Sequence, residues 1–277
     1  MGEASYGLYR AGEGDPLVLL HGFTGTWRHW RPVLPELVAR YEVIAPTLAG
    51  HAGGPALDAQ PGLQTLDHAT DHLERHLDEL GVETAHFAGN SMGGALAINL
   101  AKRGRARSVV GLAPAGGWTP GDGETERLRR FFRRQLGLTR ASQGRLEAVM
   151  RRPVLRRLAL RDVMRHGELV DPRDAADMAR ESLACAITDD VLAALGRDEG
   201  ALLDLDQVAA PVLLAWPEHD RILPRATCSQ RMRREIPGAE FRVLPGCGHV
   251  PMWDDPRLVV QTIQDWVGRH LRAPVAA

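Results

Sequence analysis

The first part of the chain alternates between short apolar runs and longer stretches with helical spacing. The apolar runs lie at residues 17–20, 41–45, 85–88 and 108–113, and a weaker strand pattern precedes them at 5–10. Such short runs, bounded by Gly, Pro or polar residues, are typical of strands buried in a parallel sheet. Residues 66–80 and 92–103 lie between these runs and have the spacing or small side chains of packed helices. The order predicts an α/β fold, with a mostly parallel central sheet flanked by helices.

The alternation stops after residue 117 and resumes near residue 207. In between, the only regular patterns are amphipathic stretches at 127–138, 145–164 and 172–186, which indicate helices. A connection of this length is too long for an ordinary loop. We therefore predict a core domain formed by 1–117 and 207–277, interrupted by a helical insertion at 118–206. Strand and helix patterns return at 212–216, 225–236, 241–244 and 256–271.

A serine stands where one predicted strand meets the following helix. The pentapeptide Gly-Asn-Ser-Met-Gly at 89–93 has the pattern G-x-S-x-G and follows the strand at 85–88. Small residues two positions before and after Ser91 allow a very sharp turn, which holds the hydroxyl clear of the sheet. The alternative is that this is a glycine-rich strand-to-helix turn whose small residues serve only close packing, without a catalytic role. The flanking strand and helix favour Ser91 as a nucleophile.

A carboxylate and an imidazole follow two later strands. Asp220 comes shortly after the strand at 212–216, and His249 follows the strand at 241–244. A serine hydroxyl becomes a strong nucleophile when an imidazole takes its proton, and a carboxylate holds that imidazole in the required tautomer. The chain order Ser, Asp, His is the one expected for this architecture. We predict Ser91, Asp220 and His249 as the catalytic residues.

Two backbone N–H groups are candidates for stabilising an oxyanion. One belongs to Met92, directly after the nucleophile, and the other to Phe23, in the turn after the strand at 17–20. His21 in the same turn is a possible base. We favour a structural role for His21, in which its ring holds the loop by hydrogen bonds.

Composition limits the possible partners and the compartment. The chain has 277 residues, a formal net charge of −1 and three cysteines without a CxxC pair. The near-zero charge argues against nucleic-acid or membrane-surface partners. The odd number of cysteines does not suggest a disulfide framework, and the N-terminus shows no secretory pattern, so we expect a cytoplasmic protein.

With these motifs the chain resembles the α/β-hydrolase superfamily, in the branch whose nucleophile is a serine. The resemblance covers nearly the whole chain, through the turns at 21–25, 50–54, 89–94 and 248–249 and through Trp30 and Asp220. Thr47 and Ala49 depart from the common pattern, which has Asp and Pro there. The resemblance implies that 118–206 forms a helical cap over the active site. It also separates the chain from haloalkane dehalogenases and epoxide hydrolases, which have an aspartate in place of Ser91.

The resemblance implies a cofactor-free enzyme that acts on a small-molecule acyl substrate. A carboxylic-ester hydrolase working through an acyl-enzyme on Ser91 is the first hypothesis. The second is a carbon–carbon bond hydrolase of the meta-cleavage-product type, or a lyase or cyclase, on the same fold. The third is a ligand receptor without catalysis. A monomer or a homodimer is expected, and no metal is required.

Three further residues are candidates for the substrate pocket. Arg180 lies in the last predicted helix of the insertion and could pair with a substrate carboxylate, and Met252 and Trp253 follow His249. The alternative for the insertion is that its charged helices pair with each other and face water, because 121–165 holds 13 Arg against 5 acids whereas 166–200 holds 3 Arg against 9 acids. His68, His72 and His76 form one helical stripe but lack the pattern of a zinc site.

Overall fold

A computed structural model describes residues 3–4, 7–57 and 66–271. Part of the predicted strand at 5–10 and both ends of the predicted core domain lie outside these residues. The strands within them are β1 (Glu3–Ala4), β2 (Leu8–Ala11), β3 (Pro16–Leu20), β4 (Glu42–Pro46), β5 (Ala85–Asn90), β6 (Ala106–Leu112), β7 (Val212–Pro217) and β8 (Glu240–Leu244).

The strands form a single sheet with the order β1-β2-β4-β3-β5-β6-β7-β8. Strand β2 pairs antiparallel with β1 on one side and with β4 on the other, whereas every pairing from β4 to β8 is parallel. All residues of β5 and β7 are buried, as expected for strands covered on both faces. The predicted α/β fold with a mostly parallel sheet is confirmed.

Helices cover both faces of the sheet. The α-helices of the described residues are α1 (Leu34–Val38), α2 (Leu66–Glu79), α3 (Met92–Lys102), α4 (Glu124–Ser142), α5 (Leu146–Met150), α6 (Pro153–Leu160), α7 (Pro172–Leu183), α8 (Thr188–Gly196), α9 (Arg225–Cys228), α10 (Gln230–Glu235), α11 (Pro251–Asp254) and α12 (Pro256–Arg269). Short 3-10 turns lie at Trp27–Trp30, Gln143–Arg145, Gly167–Leu169 and Leu205–Gln207. Among the described helices, none combines the length and the apolar character needed to cross a bilayer.

Two of the predicted helices are broken in the structure. The predicted helix at 145–164 divides into α5 and α6, because Pro153 lacks the N–H that a continuous helix would need and instead starts a new helix. The predicted helix at 225–236 divides into α9 and α10 around Ser229. The predicted helix at 172–186 corresponds to α7, which ends at Leu183. Helix α8, which follows it, was not predicted.

The segment between β6 and β7 contributes to the packing on both faces of the sheet. Alternate residues of β3 belong to different apolar clusters, Val18 to one and Leu19 to the other, because successive side chains of a strand point to opposite faces. From the intervening segment, Leu128 joins the Val18 cluster, and Leu146 and Met150 join the Leu19 cluster. Helices α4 to α8 are therefore packed into the same apolar cores as the sheet.

Candidate active site

Ser91 occupies a strained turn between β5 and α3. Its backbone has φ 54° and ψ −117°, a conformation that costs a non-glycine residue about 1–3 kcal/mol. A Cβ atom at Gly89 would lie 2.3 Å from the carbonyl oxygen of Gly93, and one at Gly93 would lie 2.2 Å from the carbonyl oxygen of Leu20. The turn can therefore close only with glycine at both positions, as the G-x-S-x-G pattern predicts.

Backbone hydrogen bonds hold Ser91 at the end of the neighbouring strand. Its N–H donates to the carbonyl of Leu112 at 3.0 Å, and its own carbonyl accepts from the N–H of Ala115 at 2.9 Å. The side chain is 8% exposed. The strain of the turn is thus balanced by the sheet and by the segment that follows β6.

Asp220 and His249 meet beyond the ends of β7 and β8. His249 Nδ1 lies 2.7 Å from Asp220 Oδ2, and the two side chains are only 6% and 1% exposed. The other carboxylate oxygen, Asp220 Oδ1, accepts from the N–H groups of Ile222 at 2.9 Å and Leu223 at 2.8 Å. Because Nδ1 keeps its proton and donates it in the hydrogen bond to the carboxylate, Nε2 is the ring nitrogen that can act as a base.

The loop of His249 is tied to Ser91's neighbour and to the segment between β6 and β7. Asn90 Nδ2 donates to the His249 carbonyl at 2.9 Å. The Asp254 carboxylate accepts from the N–H groups of Gly248 at 2.7 Å and of Arg165 at 2.9 Å. The position of the imidazole therefore depends on bonds from three separate parts of the chain.

Ser91 and His249 open onto the same cavity, which has a volume of about 540 Å³. No hydrogen bond joins the Ser91 hydroxyl to the His249 ring in the described part of the chain. The cavity has the size of an ordinary small-molecule site. Its walls come largely from α4, α5 and α6, with apolar side chains such as Phe132, Leu146, Met150 and Leu160.

The turn after β3 lies directly against Ser91. A Cβ atom at Gly22 would be 3.2 Å from the Cβ atom of Ser91, which is closer than an ordinary van der Waals contact. Neither the Phe23 nor the Met92 N–H group forms a hydrogen bond with another described residue. The structure therefore brings together every predicted member of the catalytic and oxyanion sets, with two free N–H groups beside the serine.

His21 holds this turn instead of facing the cavity. Its Nε2 accepts from the N–H of Leu48 at 2.9 Å, so the ring proton is on Nδ1, which donates to the carbonyl of Gly22 at 2.9 Å. The ring is fully buried, and burial holds the pKa of His21 well below its ordinary value. These contacts support the structural role that we favoured for this residue.

Two other histidines near the serine were not singled out by sequence reasoning. His29 lines the cavity, and its burial, together with the nearby His51 and His249, lowers its pKa to about 4. The His51 ring packs edge-on against that of His21, with centroids 4.9 Å apart, and burial lowers the pKa of His51 to about 4. The sequence predicted no role for either residue: His51 lies in the turn at 50–54 and His29 in the 3-10 turn at Trp27–Trp30, and tertiary folding brings both near the serine.

Arg180, Met252 and Trp253, the three predicted pocket residues, are not among the residues that line this cavity. Arg180 lies on the outer surface, where its guanidinium pairs with Asp177 and Glu147, each at 2.7 Å. Met252 is fully buried, and Trp253 packs against the same apolar core below the His249 loop. Helix α11 starts at Pro251, two residues after His249, and turns both side chains into the core.

The charged and histidine-rich stretches make local contacts. In α4, Arg127 pairs with Glu124 and Arg129 pairs with Glu126. On α2, the rings of His68 and His72 pack edge-on with centroids 4.7 Å apart. Among the described residues, no three His, Cys, Asp or Glu side chains are arranged to hold a metal ion.

Comparisons with known proteins agree with this architecture. A family model described as the alpha/beta hydrolase family matches residues 17–262. The chain is 33% identical over 207 residues to the epoxide hydrolase EphH of Mycobacterium tuberculosis, which covers 73% of this chain and 96% of that protein. It is 36% identical over 145 residues to 2-hydroxymuconate semialdehyde hydrolase of Pseudomonas sp., covering 45% of this chain and half (50%) of that enzyme.

Among solved structures, a thermophilic esterase from Thermogutta terrifontis superposes with a TM-score of 0.71 and 24% identity, over 95% of this chain and 93% of that one. At this identity the likeness concerns the fold alone. The family model spans most of the chain, including the three loops that carry Ser91, Asp220 and His249. The chain therefore belongs to the alpha/beta hydrolase family.

Proposed function

We propose that this protein is a serine hydrolase of carboxylic esters. The observation that carries the proposal is the Asp220–His249 pair, 2.7 Å apart and buried, facing the same apolar cavity as a serine on a strained turn. Such a pair has little structural purpose at a cavity, since burying two ionisable groups costs free energy. It is the arrangement required to take a proton from a hydroxyl.

The proposed reaction has two steps. Ser91 Oγ attacks the ester carbon while His249 Nε2 takes its proton, and the N–H groups of Phe23 and Met92 donate to the negative oxygen. His249 then gives the proton to the departing alcohol oxygen, which leaves an acyl group on Ser91. A water molecule, deprotonated by His249, attacks that acyl-enzyme, and His249 returns the proton to Ser91 Oγ as the acid is released. Asp220 stays ionised and stabilises the imidazolium in both steps.

The segment between β6 and β7 would act as the cap of this site. Helices α4 and α6 supply apolar walls above the serine, so a bound ester loses water around the reacting carbon. No cofactor or metal takes part in the proposed chemistry. The partner of the protein is then a small-molecule acyl compound.

Carbon–carbon bond hydrolysis is the second candidate, favoured by the similarity to the semialdehyde hydrolase. A semialdehyde of that type carries a carboxylate, which needs a cation or hydrogen-bond donors when it is buried. The arginines that line the cavity, Arg134 and Arg161, are both exposed at its outer part. An uncharged ester fits the inner apolar walls better than a carboxylate does.

Epoxide hydrolysis, the activity in EphH's name, agrees less well with the serine. An epoxide opened by an aspartate gives an ester that water can cleave. An epoxide opened by Ser91 would give an ether, which has no carbonyl carbon for water to attack. Epoxides are therefore expected to be poor substrates.

The test compares wild type with Ser91→Ala on p-nitrophenyl acetate. Loss of the nucleophile is expected to lower kcat by at least about 10⁴-fold. A fluorophosphonate should add to Ser91 of the wild type, as read by peptide mass spectrometry. Arg180→Ala is the control, because Arg180 lies on the surface away from the cavity. Equal turnover by wild type and Ser91→Ala would refute the proposal.

A further inference from the structure

A second, smaller cavity also reaches Ser91. Its volume is about 110 Å³, against about 540 Å³ for the larger one. The two cavities share four lining residues, namely Phe23, Ser91, Phe132 and Ile222. The serine therefore stands between two spaces of very different size.

Two aromatic rings form the wall between these cavities. Phe23 comes from the turn after β3 and Phe132 from α4, and their rings meet edge-to-face with centroids 5.1 Å apart. Phe131 packs against Phe132 from the side of the larger cavity, with centroids 5.2 Å apart. This geometry is favourable for aromatic pairs, so the wall is a packed feature of the fold.

The two cavities differ in which part of the catalytic set they contact. His249 lines the large cavity but not the small one, whereas Met92 lines the small cavity but not the large one. In ester cleavage the histidine must reach the oxygen of the departing alcohol in order to protonate it. The alcohol part of a substrate is thereby directed towards the His249 side, and the remaining substituent of the carbonyl carbon is directed towards the other space.

We infer that the small cavity holds the acyl group and the large cavity holds the alcohol, so that the preferred substrates are short-chain acyl esters of bulky, apolar alcohols. The inference rests on the proposed ester hydrolase function and adds the substrate class. Among the residues that the structure describes, the side chains lining the small cavity are apolar, including Trp118, Ala194, Leu195 and Leu223, apart from those of Ser91 and Glu199. Its volume equals that of about four water molecules, which suits an acyl chain of a few carbons.

The first experiment uses two isomeric esters of equal composition, decyl acetate and ethyl decanoate. Both contain the same atoms and differ only in which side of the ester is long. We expect kcat/KM for decyl acetate to exceed that for ethyl decanoate by at least about tenfold, because a pocket that is too small by several methylenes discriminates at least this strongly. A preference for ethyl decanoate would overturn the inference.

The second experiment makes the same substitution on either side of the wall. Ala194 of α8 lines only the small cavity, and Ala159 of α6 lines only the large one. With p-nitrophenyl acetate and butyrate, Ala194→Val is expected to lower the butyrate-to-acetate ratio of kcat/KM by about tenfold. Ala159→Val should leave that ratio unchanged and should lower the rate with decyl acetate.

The outcomes separate this inference from the function on which it rests. A change in the acyl ratio caused by Ala159→Val and not by Ala194→Val would overturn the assignment of the cavities while leaving ester hydrolysis intact. Absence of Ser91-dependent turnover of any of the esters would overturn the proposed function, and the inference with it. The isomeric pair is measured on the wild type, so the result does not depend on a variant that folds poorly.

Discussion

Single residues in this site are held by more bonds than their chemistry alone requires. Asp220 accepts two backbone N–H groups through one oxygen and the His249 ring through the other, and it is almost completely buried. Since the first two bonds position the carboxylate independently of the histidine, its charge and its shape can be tested separately.

Asp220→Asn is predicted to lower kcat for p-nitrophenyl acetate by about 10⁴-fold. The amide oxygen can keep the bonds from Ile222 and Leu223, but the amide nitrogen is a donor and favours the wrong tautomer of His249. The measurement is steady-state kinetics, with a melting curve to show that the fold is intact. A loss of less than tenfold would mean that Asp220 does not orient the base.

The buried histidines beside the oxyanion turn predict a dependence of stability on pH. Burial lowers the pKa of His51 from 6.5 to about 4 in the folded protein. Between these values the unfolded chain binds a proton that the folded protein does not, so the free energy of unfolding falls as the pH falls from 6.5 towards 4. His51 alone accounts for a loss of about 2 kcal/mol at about pH 5.

Urea unfolding at about pH 7.5 and about pH 5 measures this loss. His51→Gln should reduce the difference between the two pH values, because its side chain does not titrate. His166→Gln is the matched control, since the His166 side chain is 41% exposed and lies outside the buried cluster. An equal pH dependence in wild type and His51→Gln would contradict the prediction.

At the scale of elements, a buried carboxylate joins helix α7 to the turn after β3. Glu181 is 6% exposed and accepts from Thr26 Oγ1 at 3.0 Å and from Arg28 Nη1 at 2.8 Å. Burial raises the pKa of Glu181, and the two donors oppose that rise. The segment between β6 and β7 is therefore attached to the loop that supplies the Phe23 N–H group.

Glu181→Gln is predicted to lower the free energy of unfolding by about 2 kcal/mol, because an amide replaces the charged acceptor of a buried hydroxyl, Thr26, and of a half-buried guanidinium, Arg28. Glu147→Gln provides the comparison. Glu147 also pairs with an arginine, Arg180, but its side chain is 62% exposed, so its loss should cost less than about 1 kcal/mol. Urea unfolding of both variants tests this prediction. Equal losses of unfolding free energy would show that the contacts of Glu181 stabilise the fold no more than an exposed ion pair does.

At the scale of the whole molecule, the segment between β6 and β7 has no separate core. Leu128 packs with the apolar cluster on one face of the sheet, whereas Leu146 and Met164 pack with the cluster on the other face. We therefore predict one cooperative thermal transition, with equal calorimetric and van't Hoff enthalpies. Differential scanning calorimetry measures this, and two resolved transitions would indicate that the segment unfolds by itself.

Charge is also unevenly distributed at this scale. The whole chain has a formal net charge of −1, but the stretch at 121–165 contains 13 Arg and only 5 acidic residues. Several of these arginines pair within their own helix, as Arg129 does with Glu126, and Arg180 of α7 pairs across to Glu147 of α5. Arg180 therefore makes its contacts on the surface and not in the cavity.

Local sequence was sufficient to predict the sheet, the segment between β6 and β7, and the chemistry-bearing loops. Strands buried on both faces must be short and apolar, and a turn as sharp as the one at Ser91 admits only glycine at 89 and 93. The sequence likewise indicated that Ser91, Asp220 and His249 each follow a strand. Parallel strands bring those ends to one edge of the sheet, which explains why the Asp220–His249 pair and Ser91 lie at the same end of the sheet.

Tertiary structure alone decided the walls of the site. Arg180 faces water, Met252 faces the core, and Phe132 lines the cavity beside the serine. These directions depend on how each helix is rotated about its axis and on where a helix is interrupted, as at Pro153. Periodicity shows that a helix has an apolar face but not what that face contacts. The division into two cavities arises from rings on separate elements, Phe23 and Phe132, whose contact is not encoded in any local pattern. The substrate class therefore depends on long-range packing, while the reaction depends on short, local turns.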